Sequence, residues 1–112
     1  MIRAIFWGTR GSLTTPGPTT QRYGGNTSCV ELVALLNDRP GYLRGPATPN
    51  LLLDGGTGII EQIADQQARN PQDGTHIVLS HYHWDHIMGL PFYAPIHNPE
   101  SNIHLYGASA AG

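Results

Sequence analysis

Residues 80 to 87 read SHYHWDHI, with three histidines and one aspartate between positions 81 and 86, directly after the apolar run HIVL. A hydrophobic core resists so many polar groups, and an ordinary surface loop has no use for them. The pattern asks for a buried strand that stops abruptly and releases the chain into a crowded polar turn. Layered α/β folds place ligand-binding groups just beyond the end of such a strand. His81 and His83 are two apart, so in an extended segment their imidazoles point to one side. Asp85 continues that spacing, and His86 follows if the backbone bends at Trp84. Neutral imidazole and carboxylate are ligand types that suit zinc, and also iron or manganese. A single tetrahedral site closed by all four is sterically awkward within six residues. Two ions, each taking two ligands here and others elsewhere, are easier to build.

The remaining sequence reads as strands with one clear helix. Ile2 to Trp7 is a short apolar run stopped by Gly8, and so a strand. Gly8 to Asn26 is a Gly/Thr/Pro/Ser-rich segment, unusually long for a plain loop and therefore a candidate functional one. Ser28 to Leu36 predicts a second strand, with a helix as the alternative that Cys29 and the valines disfavour. Asn37 to Asn50 is a long hairpin connection, and Leu51 to Leu53 a buried third strand ending at Asp54. The GGTG turn then leads into a helix at about 58–69, capped by Thr57, with Ile59, Ile60, Ile63, Ala64 and Gln67 on its apolar face. His76 to Leu79 predicts a fourth strand buried on both faces. A helical turn at Ile87 to Leu90 and a fifth strand at Asn102 to Tyr106 follow. Tyr82 and Trp84 alternate with the histidines and are expected to pack away from them. His97 is expected in a loop, His104 within a strand and His76 at a strand edge.

Composition narrows the function classes. The 112 residues fit one domain, 12% of them are charged, and the net charge is −2. All six cations are arginines, and they are scattered, which is no signature of a nucleic-acid-binding stripe. Arg10 or Arg22 could meet a substrate phosphate, and Gly8 to Gly11 is either a phosphate cradle or a plain turn. Cys29 is the sole cysteine, so an internal disulfide and a Cys-based zinc site are excluded, and a small buried hydrophobe is expected there. The amino terminus is too brief for a secretory signal, and no run approaches a membrane span. The expectation is a cytoplasmic protein without membrane contact.

SHYHWDHIMGLP resembles the signature of the metallo-β-lactamase superfamily of hydrolases, His-x-His-x-Asp-His after a buried strand. LLLDGGTG, containing Asp54, is similar to that family's strand–Asp–turn–helix. The head, FWGTRGSLTTPGPTTQRYGGNTSCVEL, resembles the branch containing ribonuclease Z and small cyclic phosphodiesterases. The resemblance runs from Ile2 to Tyr106. It implies an α/β (α+β layered) fold, the amino-terminal half of an αββα sandwich. It implies a first metal on His81 and His83 and a second on Asp85 and His86, with two Zn2+ per complete site and Mn2+ or Fe as alternatives. Asp54 would hold the loops beneath the site without touching metal, and Gly24 to Thr27 would bring a backbone loop near. Asp85 would also orient the reacting water or shuttle its proton. The family completes its site with a histidine, a bridging aspartate and a final histidine farther downstream. His97 and His104, the only later histidines here, have neither that spacing nor that context. The implied function is metal-dependent hydrolysis of a small phosphodiester or nucleotide-like substrate, by a partial domain completed by a carboxy-terminal half or by a second copy. The alternative is a non-catalytic metal-binding or interaction fragment that pairs with another chain.

Overall fold

The computed structural model describes residues 2–34, 50–67 and 74–109. Five strands form one sheet in the order β1 (Ile2–Gly8), β2 (Cys29–Ala34), β3 (Asn50–Leu53), β4 (Thr75–Val78) and β5 (Ile103–Tyr106). The first two pairings are antiparallel and the last two parallel, so β3 is where the sheet changes sense. A parallel neighbour requires a crossover. Helix α1 (Gly58–Gln67) lies between β3 and β4 in the chain, and a four-residue helix α2 (Trp84–Ile87) follows β4. Three 3-10 turns, at Pro18–Thr20, Leu90–Phe92 and Ala94–His97, complete the described elements. The five expected strands are all present: β1 and β3 are one residue longer, β4 lies one residue earlier, and β2 and β5 begin one residue later. The helical turn begins at Trp84, three residues earlier than expected, so Asp85 and His86 ride on it. The expected hairpin connection falls almost wholly on 35–49 and lies outside the described residues, as does the expected end of the helix at 68–69.

One face of the sheet carries the core. Cys29, Leu52, Ile59, Ile77, Leu79 and Tyr93 form a buried cluster, with Trp7, Ile63, Ile87, Leu90 and Ile103 packed against it. Each such apolar side chain contributes about 1.5–3 kcal/mol when fully buried. Strand β4 was expected to be buried on both faces, and here the sequence expectation fails. Thr75, Ile77 and Leu79 are buried, but His76 is only half-buried and Val78 is 37% exposed. Side chains alternate across a strand, and among the described residues only the Ile77 side is covered.

Helix α1 is also rotated from the expected phase. A Cβ on Gly58 would stand 2.7 Å from the Gly8 nitrogen and from the Trp7 carbonyl carbon, so only glycine lets the helix approach β1 this closely. With 100° between residues, that approach turns Ile59 and Gln62 toward the sheet and Ile60 away. Ile60 is accordingly 43% exposed, whereas Gln62 is fully buried and neither side-chain amide atom has a hydrogen-bond partner. The Thr57 hydroxyl accepts from the Thr27 amide at 2.8 Å, and the Thr27 hydroxyl accepts from the Thr57 amide at 2.8 Å, which ties the head loop to the start of α1. No helix among the described residues is long and apolar enough to cross a membrane.

Cys29 is fully buried, and burial first, then the charges of Glu31 and Asp54, push its thiol up to about 12. The thiolate is the reactive form. A thiol reagent such as DTNB at pH 8 is therefore expected to leave the native chain unmodified and to label one thiol per chain only in denaturant. Rapid labelling of the native chain would contradict this burial.

Candidate metal centre

Strand β3 ends in Asp54, whose φ of 66° is a left-handed conformation that aspartate tolerates better than most residues. The parallel ladder continues one step past the strands, with the Asp54 amide donating to the Val78 carbonyl at 2.9 Å and the Leu79 amide to the Tyr106 carbonyl at 2.8 Å. The Asp54 carboxylate is thereby set beneath the turn that leaves β4. It accepts hydrogen bonds from the Ser80 amide at 2.8 Å, the Ser80 hydroxyl at 2.9 Å and His86 Nδ1 at 2.9 Å.

These bonds determine where the imidazole protons sit. A carboxylate only accepts, so His86 Nδ1 carries a proton, and in the neutral ring Nε2 then presents its lone pair. The Ser80 hydroxyl donates to Asp54, so at 2.9 Å from His81 Nδ1 it can only accept, and His81 takes the same tautomer. Histidine ligands are commonly oriented by such outer carboxylates and hydroxyls.

Two close glycine contacts bring α2 against the end of β3. The Gly55 amide donates to the His86 carbonyl at 2.8 Å, and the Gly89 amide returns to the Gly55 carbonyl at 2.9 Å. A Cβ at Gly56 would stand 2.5 Å from the Thr27 hydroxyl, and one at Gly89 would stand 2.7 Å from the Gly56 carbonyl carbon. Position 86 is thus fastened from both sides.

The four side chains singled out from the sequence come together at this turn. The His81 and His83 ring centroids are 4.5 Å apart, edge to face, and the His81 and His86 centroids are 4.1 Å apart. His86 Nε2 lies 3.4 Å from Asp85 Oδ2. Two ligand atoms on one tetrahedral zinc, each at 2.0–2.1 Å, stand about 3.4 Å apart, so this pair has the spacing such an ion requires. Among the described residues, no group of three or more His, Cys, Asp or Glu side chains is arranged to hold one ion.

Asp85 is held by a residue that sequence reasoning missed. The amide of Ser12, itself left-handed at φ 65°, donates to Asp85 Oδ2 at 3.1 Å. That hydrogen bond is the main reason the Asp85 carboxyl lies below its usual range. The nearby His86 and His83 rings add to the effect, and burial opposes it. A backbone donor 73 positions away leaves no mark in the sequence beyond the length of its loop. Ser80 was missed as well, though its place between a buried strand and the first histidine was a signal.

The other candidates lie elsewhere. Thr27, in the Gly24–Thr27 stretch, bonds through its carbonyl to Gly58, and Ser28 does the same to Gly56. His97 donates to the Pro91 carbonyl at 2.7 Å. His76 is the second residue of β4, near the start of that strand as expected. It stacks on His104 at 4.6 Å and lies 2.9 Å from the Tyr106 hydroxyl. Tyr82 and Trp84 were expected to pack, but they are 50% and 65% exposed, because no described element covers their side of the turn. Tyr82 does bond through its hydroxyl to the Ala108 carbonyl.

A family model described as the metallo-beta-lactamase superfamily matches residues 41–105, more than half of the chain. Neither the curated proteins nor the solved structures contain a match.

Proposed function

The chain belongs to the metallo-beta-lactamase superfamily, and from that premise we propose that it is a metal-dependent hydrolase of phosphodiester bonds, with His81, His83, Asp85 and His86 as its cation ligands. The observation that carries this reading is the Asp54 carboxylate, which holds His86 directly and His81 through Ser80. A structural aspartate does not need to set two imidazole tautomers. The superfamily generally binds divalent metals; zinc is the best fit to an imidazole and carboxylate donor set, with manganese or iron as alternatives.

A bound divalent cation supplies Lewis acidity, lowering the pKa of water and drawing charge from a phosphoryl oxygen. The chain's own residues prepare for that chemistry. Asp54 fixes the Nδ1–H tautomer of the neutral His86 ring, so that Nε2 is the nitrogen left to ligate, and Ser80 extends the same control to His81. The Ser12 amide keeps Asp85 ionised, so that its carboxylate can ligate, orient a water or take up its proton. Phosphodiester as the substrate rests on the likeness of the head segment to the ribonuclease Z and cyclic phosphodiesterase branch.

The test is turnover of an aryl phosphodiester by the complete product of the reading frame, together with elemental analysis. We expect bound zinc, manganese or iron and measurable turnover. His83→Ala should lower turnover by more than the roughly 10–100-fold that loss of an outer partner costs. Undiminished turnover in His83→Ala would sink the proposal. A second reading, a non-catalytic metal-binding or interaction module that pairs with another chain, is favoured by the exposed Val78, Tyr82 and Trp84. It predicts a defined oligomer and no hydrolysis by the metal-loaded protein.

A further inference from the structure

The loop that brings Ser12 to Asp85 also builds a concave surface. Thr9, Arg10, Thr19, Thr20, Arg22 and Tyr23 line a cleft of about 340 Å3, within the size range of small-ligand sites. Two of the chain's six cations stand in this wall, and no carboxylate does. On a chain of net charge −2, such a cluster is a local reversal of sign. Among the described residues, neither guanidinium has an ion-pair partner; the described pairs join His86 to Asp54 and Asp85.

The cleft is braced by the loop itself. The Arg10 amide donates to the Asn26 carbonyl at 2.9 Å. The Thr20 hydroxyl donates to the Thr15 carbonyl at 2.8 Å, and the Thr9 hydroxyl to the Tyr23 carbonyl at 3.5 Å. Gly24, at φ 78°, makes the left-handed turn that closes the wall. The Arg22 guanidinium lies 5.2 Å from the centre of the Tyr23 ring. Stacking uses the face of that group and leaves its in-plane N–H donors for a partner, and a held guanidinium loses less entropy on binding. With the Thr20 proton already donated, the charged donors left to a ligand are those of the two arginines. A ligand made only of acceptors, with oxygens enough for two forks, suits them best, and a phosphate group has this form.

We propose that this cleft is a phosphate-binding site, taking inorganic phosphate or the terminal phosphate of a small ester between Arg10 and Arg22. It does not rest on the hydrolytic reading, because it uses none of the histidine cluster.

The test is a phosphate titration of the metal-free chain in the presence of a chelator, followed by amide NMR at low ionic strength. Inorganic phosphate is expected to shift the resonances of residues 9–11 and 19–24 saturably. The Arg10→Gln/Arg22→Gln variant is expected to weaken binding about tenfold or more, and Arg22→Lys to fall between the two, since lysine keeps the charge without the fork. Both arginines are exposed, so the variants should keep the wild-type circular dichroism. Phenyl phosphate binding more tightly than inorganic phosphate would identify an ester as the ligand, and equal binding would identify the free ion. Shifts confined to residues 81–86, undiminished binding by the double glutamine variant, acetate binding as tightly as phosphate, or no saturable shift would each overturn the assignment.

Discussion

Asp54→Asn is expected to weaken divalent-cation binding about tenfold to a hundredfold while leaving the fold in place. Asparagine tolerates the left-handed backbone at this position, and its carbonyl can still accept from the Ser80 amide, now 2.8 Å from the carboxylate. What changes is the partner of His86. An amide NH2 facing Nδ1 donates, so Nδ1 becomes the acceptor and the imidazole proton moves to Nε2. The nitrogen 3.4 Å from Asp85 Oδ2 then has no lone pair for an ion. Zinc titration by calorimetry gives the affinity, and 15N chemical shifts of the His86 ring give the tautomer. Unchanged affinity with the tautomer reversed would remove His86 Nε2 from the ligand set. Asp54→Ala should do more damage, because it leaves Ser80 and His86 without their shared acceptor; Ser80 is exposed and His86 half-buried, so the stability cost stays below the roughly 1–3 kcal/mol of a fully buried orphan.

Gly89→Ala should be the most disruptive single methyl among these turns. Gly89 has an ordinary right-handed conformation, φ −81° and ψ −19°. Backbone preference alone would make alanine slightly stabilising there. Space decides otherwise: the new Cβ would stand 2.7 Å from the Gly56 carbonyl carbon and 2.8 Å from Ile59 Cγ2. Neither the clasped turn nor the buried isoleucine can withdraw without opening the Gly55–Gly89 hydrogen bond. Overpacking of this kind costs about 2–3 kcal/mol, and the melting temperature should fall by roughly 10 °C. Gly11→Ala is the control, since a Cβ there meets nothing within 4 Å. Equal melting temperatures for the two variants would show that the clasp between β3 and α2 is looser than described.

Much of this could be read in the sequence, and the gaps have physical causes. The five strands and the helix start at Gly58 follow from apolar runs and turn residues. The crowding at 81–86 was plain from the spacing. A four-residue run such as HIVL, however, reads the same whether one face or two are covered, and so the open side carrying Val78 was not foreseen. The rotation of α1 depends on how closely Gly58 approaches β1, a tertiary fact that put Ile60 outside and Gln62 inside. Tyr82 and Trp84 were expected to pack because they alternate with the histidines and so face away from them; what covers that side of a turn is not encoded in the turn. Ser12 acts through its backbone amide, which every residue but proline possesses.

Strands β1 and β2 are antiparallel but are not joined by a tight hairpin, and β3 and β4 are parallel. The nearest partners across β1 and β2 are Gly8 and Cys29, and Asn50 of β3 meets Thr75 of β4. Each pairing has to close a long loop before any ladder forms, and chains dominated by such distant pairings fold on the order of milliseconds to seconds. A molecule caught before β3 joins β4 has its histidines adjacent along the backbone but lacks the anchoring carboxylate. The carboxylate that orients His86 and Ser80 therefore comes into place only when β3 and β4 pair.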